Sequence, residues 1–165
     1  MKKGDLLLVR HNSIIGKLIR AKTGGTYNHI GVFENSDTVI EAKIIMGVSR
    51  TLMDVYKKAK EKGKLDYAVY RFKNVSKKKI DGIVAYCAKE VGRKYDWPQL
   101  IVLGLYLILG IPRKYEPIDL RHRWLCSELV AEACYSVGIK FSNVIDPDNI
   151  APADIEKSDI VERVL

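Results

Sequence analysis

Apolar positions recur along the chain in short runs that alternate between two spacings. Alternating or β-branched runs predict strands, whereas apolar side chains three and four positions apart predict helices. On this basis the sequence predicts strands over residues 5–9, 29–33, 38–42, 65–72 and 159–165. It predicts helices over residues 13–22, 51–63, 76–91, 97–109 and 125–137.

Capping and turn residues support several of these boundaries. Ser13 is placed as the N-cap of the first helix and Gly24 follows its end, while Thr51-x-x-Asp54 resembles a capping box. No internal repeat or low-complexity linker divides the chain. The sequence therefore predicts one α+β domain over residues 1–165, with an antiparallel sheet and helices packed against it.

Composition indicates an ordered globular protein with a basic surface. Hydrophobic residues make up 47% of the 165 positions, and 28 Lys and Arg against 20 Asp and Glu give a net charge of +8. This charge favours anionic partners without choosing among nucleic acid, acidic polymers and lipid surfaces. The lysine-rich stretches 57–64 and 77–79 are interpreted as solvated helix faces, and no nucleic-acid partner is expected.

The compartment is predicted from the cysteines and the N-terminus. Three cysteines without metal-type spacing suggest a reducing environment. The apolar run near the N-terminus stops at Arg10, which is too short for a signal peptide, so a cytoplasmic location is expected. The longest apolar run, at 100–111, is shorter than the roughly 20 residues that span a bilayer. We interpret it as a buried helix, with a peripheral, lipid-facing surface as the alternative.

The three cysteines differ in where they fall on their helices. Cys87 and Cys134 lie mid-helix and are interpreted as small buried hydrophobes. Cys126 falls in the first turn of its helix, where unpaired backbone N–H groups and the helix dipole favour a thiolate and offer donors for an oxyanion. His122-x-x-x-Cys126 could form half a zinc site, but no second pair matches it. No metal or cofactor is expected.

A nucleophilic thiol needs a base, and His29 is the candidate because it starts a core strand that could aim it. His11 falls in a polar loop and is interpreted as a surface residue, and His122 falls in a loop between two arginines whose charge should lower its pKa. Glu41, in the strand that pairs with that of His29, is the candidate to orient the base. If the hairpin turn is centred on Asn35, His29 and Glu41 lie directly opposite on one face.

Several segments resemble the two halves of NlpC-type cysteine peptidases of the papain-like superfamily. GDLL at 4–7, HIGV at 29–32 and VIEA at 39–42 resemble the second half, and GRKYDW at 92–97 with CSELV at 126–130 resembles the first. The histidine half comes first here, as in the circularly permuted branch, the YiiX/YebB-like group. The resemblance extends more distantly to the lecithin-retinol acyltransferases.

The resemblance implies a papain-like fold and a cysteine hydrolase acting on an amide or ester through an acyl-enzyme. It implies Cys126 as nucleophile, His29 as base, Glu41 as the orienting group and Tyr95 as a donor near the thiol or oxyanion. The backbone of Ser127 and the side chain of Tyr27 are further candidates for substrate or oxyanion binding.

Two departures leave the substrate open. Leu125 stands where the unpermuted peptidases have Asp, and Glu128 stands where they have Gly. Cell-wall peptides, isopeptides and lipid acyl groups all remain candidate substrates. The oligomeric state is also open.

The alternative from another class is a non-catalytic basic module that binds an anionic membrane or nucleic acid. It expects no mutual geometry among Cys126, His29 and Glu41, and aromatic residues interleaved with lysines. Three tyrosines near the lysine-rich stretch 57–64 are the hint of such a surface, at positions 56, 67 and 70.

Overall fold

The structure is a computed structural model that describes residues 1–95, 123–141 and 150–165. Its strands are β1 (Leu6–His11), β2 (His29–Phe33), β3 (Thr38–Lys43), β4 (Gly47–Leu52), β5 (Leu65–Phe72), β6 (Lys94–Tyr95), β7 (Arg123–Trp124) and β8 (Val161–Arg163). Its helices are α1 (Ile14–Thr23), α2 (Met53–Glu61), α3 (Lys77–Lys89), α4 (Cys126–Ser136) and α5 (Pro152–Glu156).

Six of these strands form one open sheet in the order β4-β3-β2-β1-β5-β8, and every neighbouring pair is antiparallel. The predicted α+β class with an antiparallel sheet is therefore confirmed. The strands that carry His29 and Glu41 are adjacent and lie inside the sheet rather than at its edges.

Helices cover both faces of the sheet, because each strand sends alternate side chains to opposite sides. Leu6 and Leu8 of β1 pack in the larger core cluster, which includes residues of α3, α4 and α5. Leu7 and Val9 pack in a second cluster with Met53 of α2. Burying each such side chain stabilises the fold by about 1.5–3 kcal/mol, so both faces hold the sheet in place.

Most predicted elements are present within a few residues of their expected bounds. Ser13 caps α1 by accepting the N–H of Gly16 at 3.1 Å, and Gly24 ends that helix with φ of 63°. The capping box at Thr51 was wrong, since Thr51 lies in β4 and α2 begins at Met53. The predicted helix over 97–109 and the apolar run at 100–111 lie outside the described residues.

Four short elements were not predicted: β4, the parallel pair β6 and β7, and α5. Helix α5 contributes Ile155 to the larger core cluster. Strand β8 was expected but is shorter than the predicted range.

The hairpin of β2 and β3 has a different register from the one predicted. Gly31 pairs with Glu41, so Glu41 lies two positions from the point directly opposite His29. The turn is tightened by Asn35, whose side-chain oxygen accepts the N–H groups of Asp37 and Thr38, each at 3.0 Å. A shift of two residues preserves the face. His29 and Glu41 are therefore diagonal neighbours on one face of the sheet.

Backbone hydrogen bonds connect β4 to residues 92–95, which in turn pair with the strand just before α4. Val48 donates to the carbonyl of Arg93 and accepts from the N–H of Gly92, both at 2.9 Å. Strand β6 follows directly and pairs in parallel with β7, which ends two residues before Cys126. These contacts hold the first turn of α4 beside the sheet.

Within the described parts of the chain, no helix is long and apolar enough to cross a membrane.

Candidate active site

Cys126 is the first residue of α4, as the sequence predicted, and its side chain is buried. The helix start is braced by Glu128, whose carboxylate accepts the N–H of Leu125 at 3.0 Å. The thiol forms hydrogen bonds with the side chain of His29 and with the backbone of Ile30 and Ser127. Burial alone would raise the pKa of Cys126, but the charge and hydrogen bonds of His29, together with the backbone donors, lower it below its ordinary value.

His29 is the first residue of β2, and its side chain is only 13% exposed. Its Nε2 lies 2.5 Å from Oε2 of Glu41, so the other ring nitrogen, Nδ1, is left to serve the thiol. Burial disfavours the imidazolium, yet the neighbouring Cys126 and Glu41 together raise the pKa of His29 to about 10. The charged forms of the two groups, thiolate and imidazolium, therefore stabilise each other.

Glu41 is 0% exposed, so its charge state depends on the groups that contact it rather than on water. Besides His29, it accepts the hydroxyl hydrogen of Tyr56, and the ammonium of Lys43 lies 3.1 Å from its Oε1. Burial would raise the pKa of this carboxyl, but His29, Thr51 and Tyr56 lower it to about 2. Glu41 is therefore a carboxylate at neutral pH.

The three predicted residues thus form one connected arrangement. A thiol, an imidazole and a carboxylate in hydrogen-bonded sequence can generate a nucleophile, hold its proton and fix the ring that carries the proton. The backbone N–H groups in the first turn of α4 provide donors for an anionic oxygen that forms beside the thiol.

The other predicted site residues are placed differently. Ser127 is buried and its hydroxyl donates to the carbonyl of Ile150 at 2.7 Å, so its backbone alone faces the thiol. Tyr27 is buried in the larger core cluster, with its ring edge-on to Tyr70 at 6.2 Å between centroids. The backbone of Tyr95 pairs with Trp124, close in sequence to Cys126, and its side chain lies outside the described part of the structure.

The remaining cysteines behave as predicted for buried hydrophobes. Cys87 and Cys134 are both 0% exposed in the larger core cluster. Burial raises the pKa of Cys87 to about 12 and raises that of Cys134 well above its ordinary value. Their raised pKa values show how a buried thiol in this protein ionises when no base lies beside it.

Sequence reasoning missed three neighbours of the site. His11 was expected on the surface, but it ends β1 half-buried, with its ring centroid 5.8 Å from that of His29. Tyr56 and Lys43 were not assigned to the site. Lys43 could have been found, because it lies two residues after Glu41 in the same strand and therefore on the same face. Tyr56 had no such signal, since it reaches Glu41 from a helix.

Asn28 fixes the backbone next to the base. Its side-chain oxygen accepts the N–H of His11 at 3.0 Å, and its side-chain nitrogen donates to the carbonyl of His11 at 2.9 Å. The amide extends the ladder between β1 and β2 by one step beyond Val9 and His29. The first residue of β2 is thereby held in place.

We expect the two neighbouring imidazoles to titrate in opposite directions. Burial and the charge of His29 lower the pKa of His11 below 6.5, whereas the pKa of His29 is raised to about 10. In ¹⁵N-detected NMR spectra near neutral pH, His29 should give an imidazolium signal and His11 a neutral one. A His122→Gln variant assigns the third signal. If both rings lose their protons together near the ordinary value, the assigned charges are wrong.

Comparison with known proteins yields a fold relative. No protein-family model matches the chain, and no curated protein matches it. The chain is similar in structure to the metalloprotein YiiX from Escherichia coli O157:H7, with a TM-score of 0.68 and 18% sequence identity. The match covers 99% of this chain and 96% of YiiX. The chain therefore has a YiiX-like fold over nearly its whole length.

Proposed function

We propose that this protein is a cysteine hydrolase that cleaves an amide or ester bond through an acyl-enzyme. The observation that carries the proposal is the unbroken contact from the Cys126 thiol to His29 and from His29 to the buried Glu41. A buried carboxylate and imidazole are costly unless they are paired. Their pairing behind a thiol at a helix N-terminus is the arrangement that activates a nucleophile.

The reaction follows from these positions. The Cys126 thiolate attacks the carbonyl carbon, and the developing oxyanion is met by backbone N–H groups at the start of α4. The His29 imidazolium gives its proton to the leaving amine or alcohol as the carbon–heteroatom bond breaks. His29, now neutral, takes a proton from water as the water oxygen attacks the thioester; the carbon–sulfur bond breaks and releases the carboxylic acid and the Cys126 thiolate, with His29 again an imidazolium. Glu41 keeps the ring oriented throughout.

The YiiX-like fold and the chain order support a relation to the circularly permuted papain-like enzymes. The base and the carboxylate, at positions 29 and 41, precede the nucleophile at 126, as the resemblance implies. The acyl donor is a peptide, an isopeptide or a lipid acyl group. A peripheral membrane contact is consistent with the last of these.

YiiX is described as a metalloprotein, so the fit of this chain to a metal can be tested on its own residues. Across residues 1–95, 123–141 and 150–165, no group of three or more His, Cys, Asp or Glu side chains is arranged to hold a metal ion. Cys126, His29 and Glu41 bind one another in sequence instead of converging on a point. The described residues do not fit a metal centre, and no step is assigned to one.

The alternative, a basic binding module, expected Cys126, His29 and Glu41 to lie apart from one another. Their contacts count against it. Two of the five lysines on and beside α2 have local acidic partners: Lys57 lies 3.2 Å from Asp54, and Lys60 lies 2.6 Å from Asp66. Tyr56 is committed to Glu41 rather than available for stacking on a base.

Selective alkylation tests the proposal. At about pH 6, where an ordinary thiol of pKa about 8.5 is almost wholly protonated, iodoacetamide should modify Cys126 of the native protein and spare Cys87 and Cys134. Peptide mass spectrometry measures the order of labelling. Incubation with activated esters should also give a Cys126 thioester, detectable as a mass increase of the intact chain.

Two controls make the result decisive. Cys126→Ser should abolish both adducts, and unfolding in urea should allow all three cysteines of the wild-type chain to react. Equal labelling of the three in the native state, or labelling of Cys126 last, would show that the nucleophile assignment is wrong.

A further inference from the structure

Glu41 is held from more sides than its contact with His29 requires. The hydroxyl of Tyr56, from α2, donates to Oε2, the same oxygen that faces Nε2 of His29. The ammonium of Lys43 lies 3.1 Å from Oε1 and also donates to the hydroxyl of Thr51 in β4. Oε2 is thus held by two hydrogen bonds, whereas Oε1 has the ammonium of Lys43 as an ionic neighbour and accepts no hydrogen bond within the described part of the structure. Rotation of the carboxylate would break the contacts of Oε2.

We infer, on the basis of the proposed function, that Tyr56 and Lys43 are positioning residues for the reaction. They hold the Glu41 carboxylate so that Oε2 accepts the N–H of His29, and in this way they keep Cys126 as a reactive thiolate. Neither residue needs to touch substrate.

The charges around the site support a role for Lys43. The ionisable groups that face Glu41 or its partners come from five elements: His11 of β1, His29 of β2, Lys43 of β3, Tyr56 of α2 and Cys126 of α4. With His11 and Tyr56 neutral, two anions, the thiolate and the carboxylate, face two cations, the imidazolium and the ammonium. Removing the ammonium leaves one uncompensated negative charge in a buried site, which favours protonation of the thiolate.

Tyr56 is uncharged, and its effect on Glu41 is to fix the orientation of the carboxylate. Its hydroxyl reaches Glu41 from the helix layer, whereas His29 and Lys43 reach it from the sheet. A buried carboxylate bound on one side only can turn toward its ammonium partner and away from the imidazole. A donor from a third direction prevents that rotation and keeps Oε2 in line with the ring.

The test is the pH dependence of Cys126 alkylation by iodoacetamide in the full chain. Tyr56→Phe removes one oxygen, and Lys43→Met removes the charge but keeps most of the stem. Each should raise the apparent pKa of Cys126 by about 1. At pH values below the wild-type midpoint, labelling should then slow about tenfold. The plateau rate at high pH should be unchanged. Lys43→Arg should restore most of the wild-type profile, because it retains the positive charge.

Matched controls separate positioning from stability. Tyr67→Phe makes the same change on β5, where Tyr67 packs against the same second core cluster, and Lys57→Met makes the same change on the exposed side of α2. Both should keep the wild-type midpoint. If Tyr56→Phe and Lys43→Met also keep it, even with lowered stability, the inference is overturned. If instead wild-type Cys126 titrates at its ordinary pKa, the proposed function fails before this question arises.

Discussion

Replacing His29 with Asn should slow alkylation of Cys126 at neutral pH by about 100-fold or more. Burial raises the pKa of this thiol, and His29 is the first opposing influence. Cys87 shows the outcome for a buried thiol without such a partner, since its pKa is raised to about 12. Because each pKa step of 1 changes the thiolate fraction about tenfold, a 100-fold fall in the labelling rate corresponds to two such steps. Stopped reactions at several pH values, followed by mass spectrometry, measure the effect.

The matching control is the same substitution at the adjacent ring. His11→Asn should label at close to the wild-type rate, because His11 is uncharged at neutral pH and lies beside His29 rather than on the thiol. A His29→Asn protein that labels as fast as wild type would show that the imidazole does not activate Cys126. Circular dichroism of both variants confirms that the fold is retained.

Gly47→Ala should destabilise the protein by about 3–4 kcal/mol and also slow the labelling of Cys126. A Cβ at Gly47 would lie 2.1 Å from the carbonyl oxygen of Arg93, and the residue has φ of +67°. The left-handed conformation costs about 1–2 kcal/mol for a side-chain-bearing residue. Displacing Arg93 breaks the two bonds to Val48, at about 1 kcal/mol each. The displaced segment includes β6, which aligns β7 and the start of α4. Urea titration measures the first effect, and iodoacetamide kinetics measure the second.

Gly63 offers the control for Gly47. It has φ of +64°, and a Cβ there would meet nothing within 4 Å. Gly63→Ala should therefore show the conformational cost alone, about 1–2 kcal/mol, with unchanged Cys126 kinetics. If the two variants are equally stable and equally reactive, the contact between β4 and residues 92–95 has no influence on the site.

The sequence predicted the elements whose apolar pattern is strong and missed those defined by tertiary contacts. Strands β2 and β5 match their predicted bounds, because β2 is a short apolar run that follows His29 and β5 alternates as a strand does. Strand β4 is an edge strand in which Arg50 and Leu52 are exposed, so its pattern is not that of a buried strand. The pair of β6 and β7 contains two residues on each side, too few for any periodicity.

The site was predicted to the level of its three principal residues, although their roles remain proposals. The contact between His29 and Glu41 was anticipated even though the register was two residues off, because an even shift keeps both side chains on one face. The neighbours from other elements could not be predicted. Tyr56 stands on α2, and nothing in the local pattern of that helix indicates that its hydroxyl meets a carboxylate on β3.

The base and the nucleophile are far apart along the chain, so the acidity of the Cys126 thiol depends on how far folding has proceeded. His29 and Glu41 belong to one hairpin, whereas Cys126 reaches them only when α4 packs on the sheet. A partly folded state that has formed its helices and strands but not this packing would carry a thiol of ordinary acidity. Thiolate absorbance during refolding would therefore report the arrival of α4 on the sheet, an event that far-ultraviolet circular dichroism does not distinguish from helix formation.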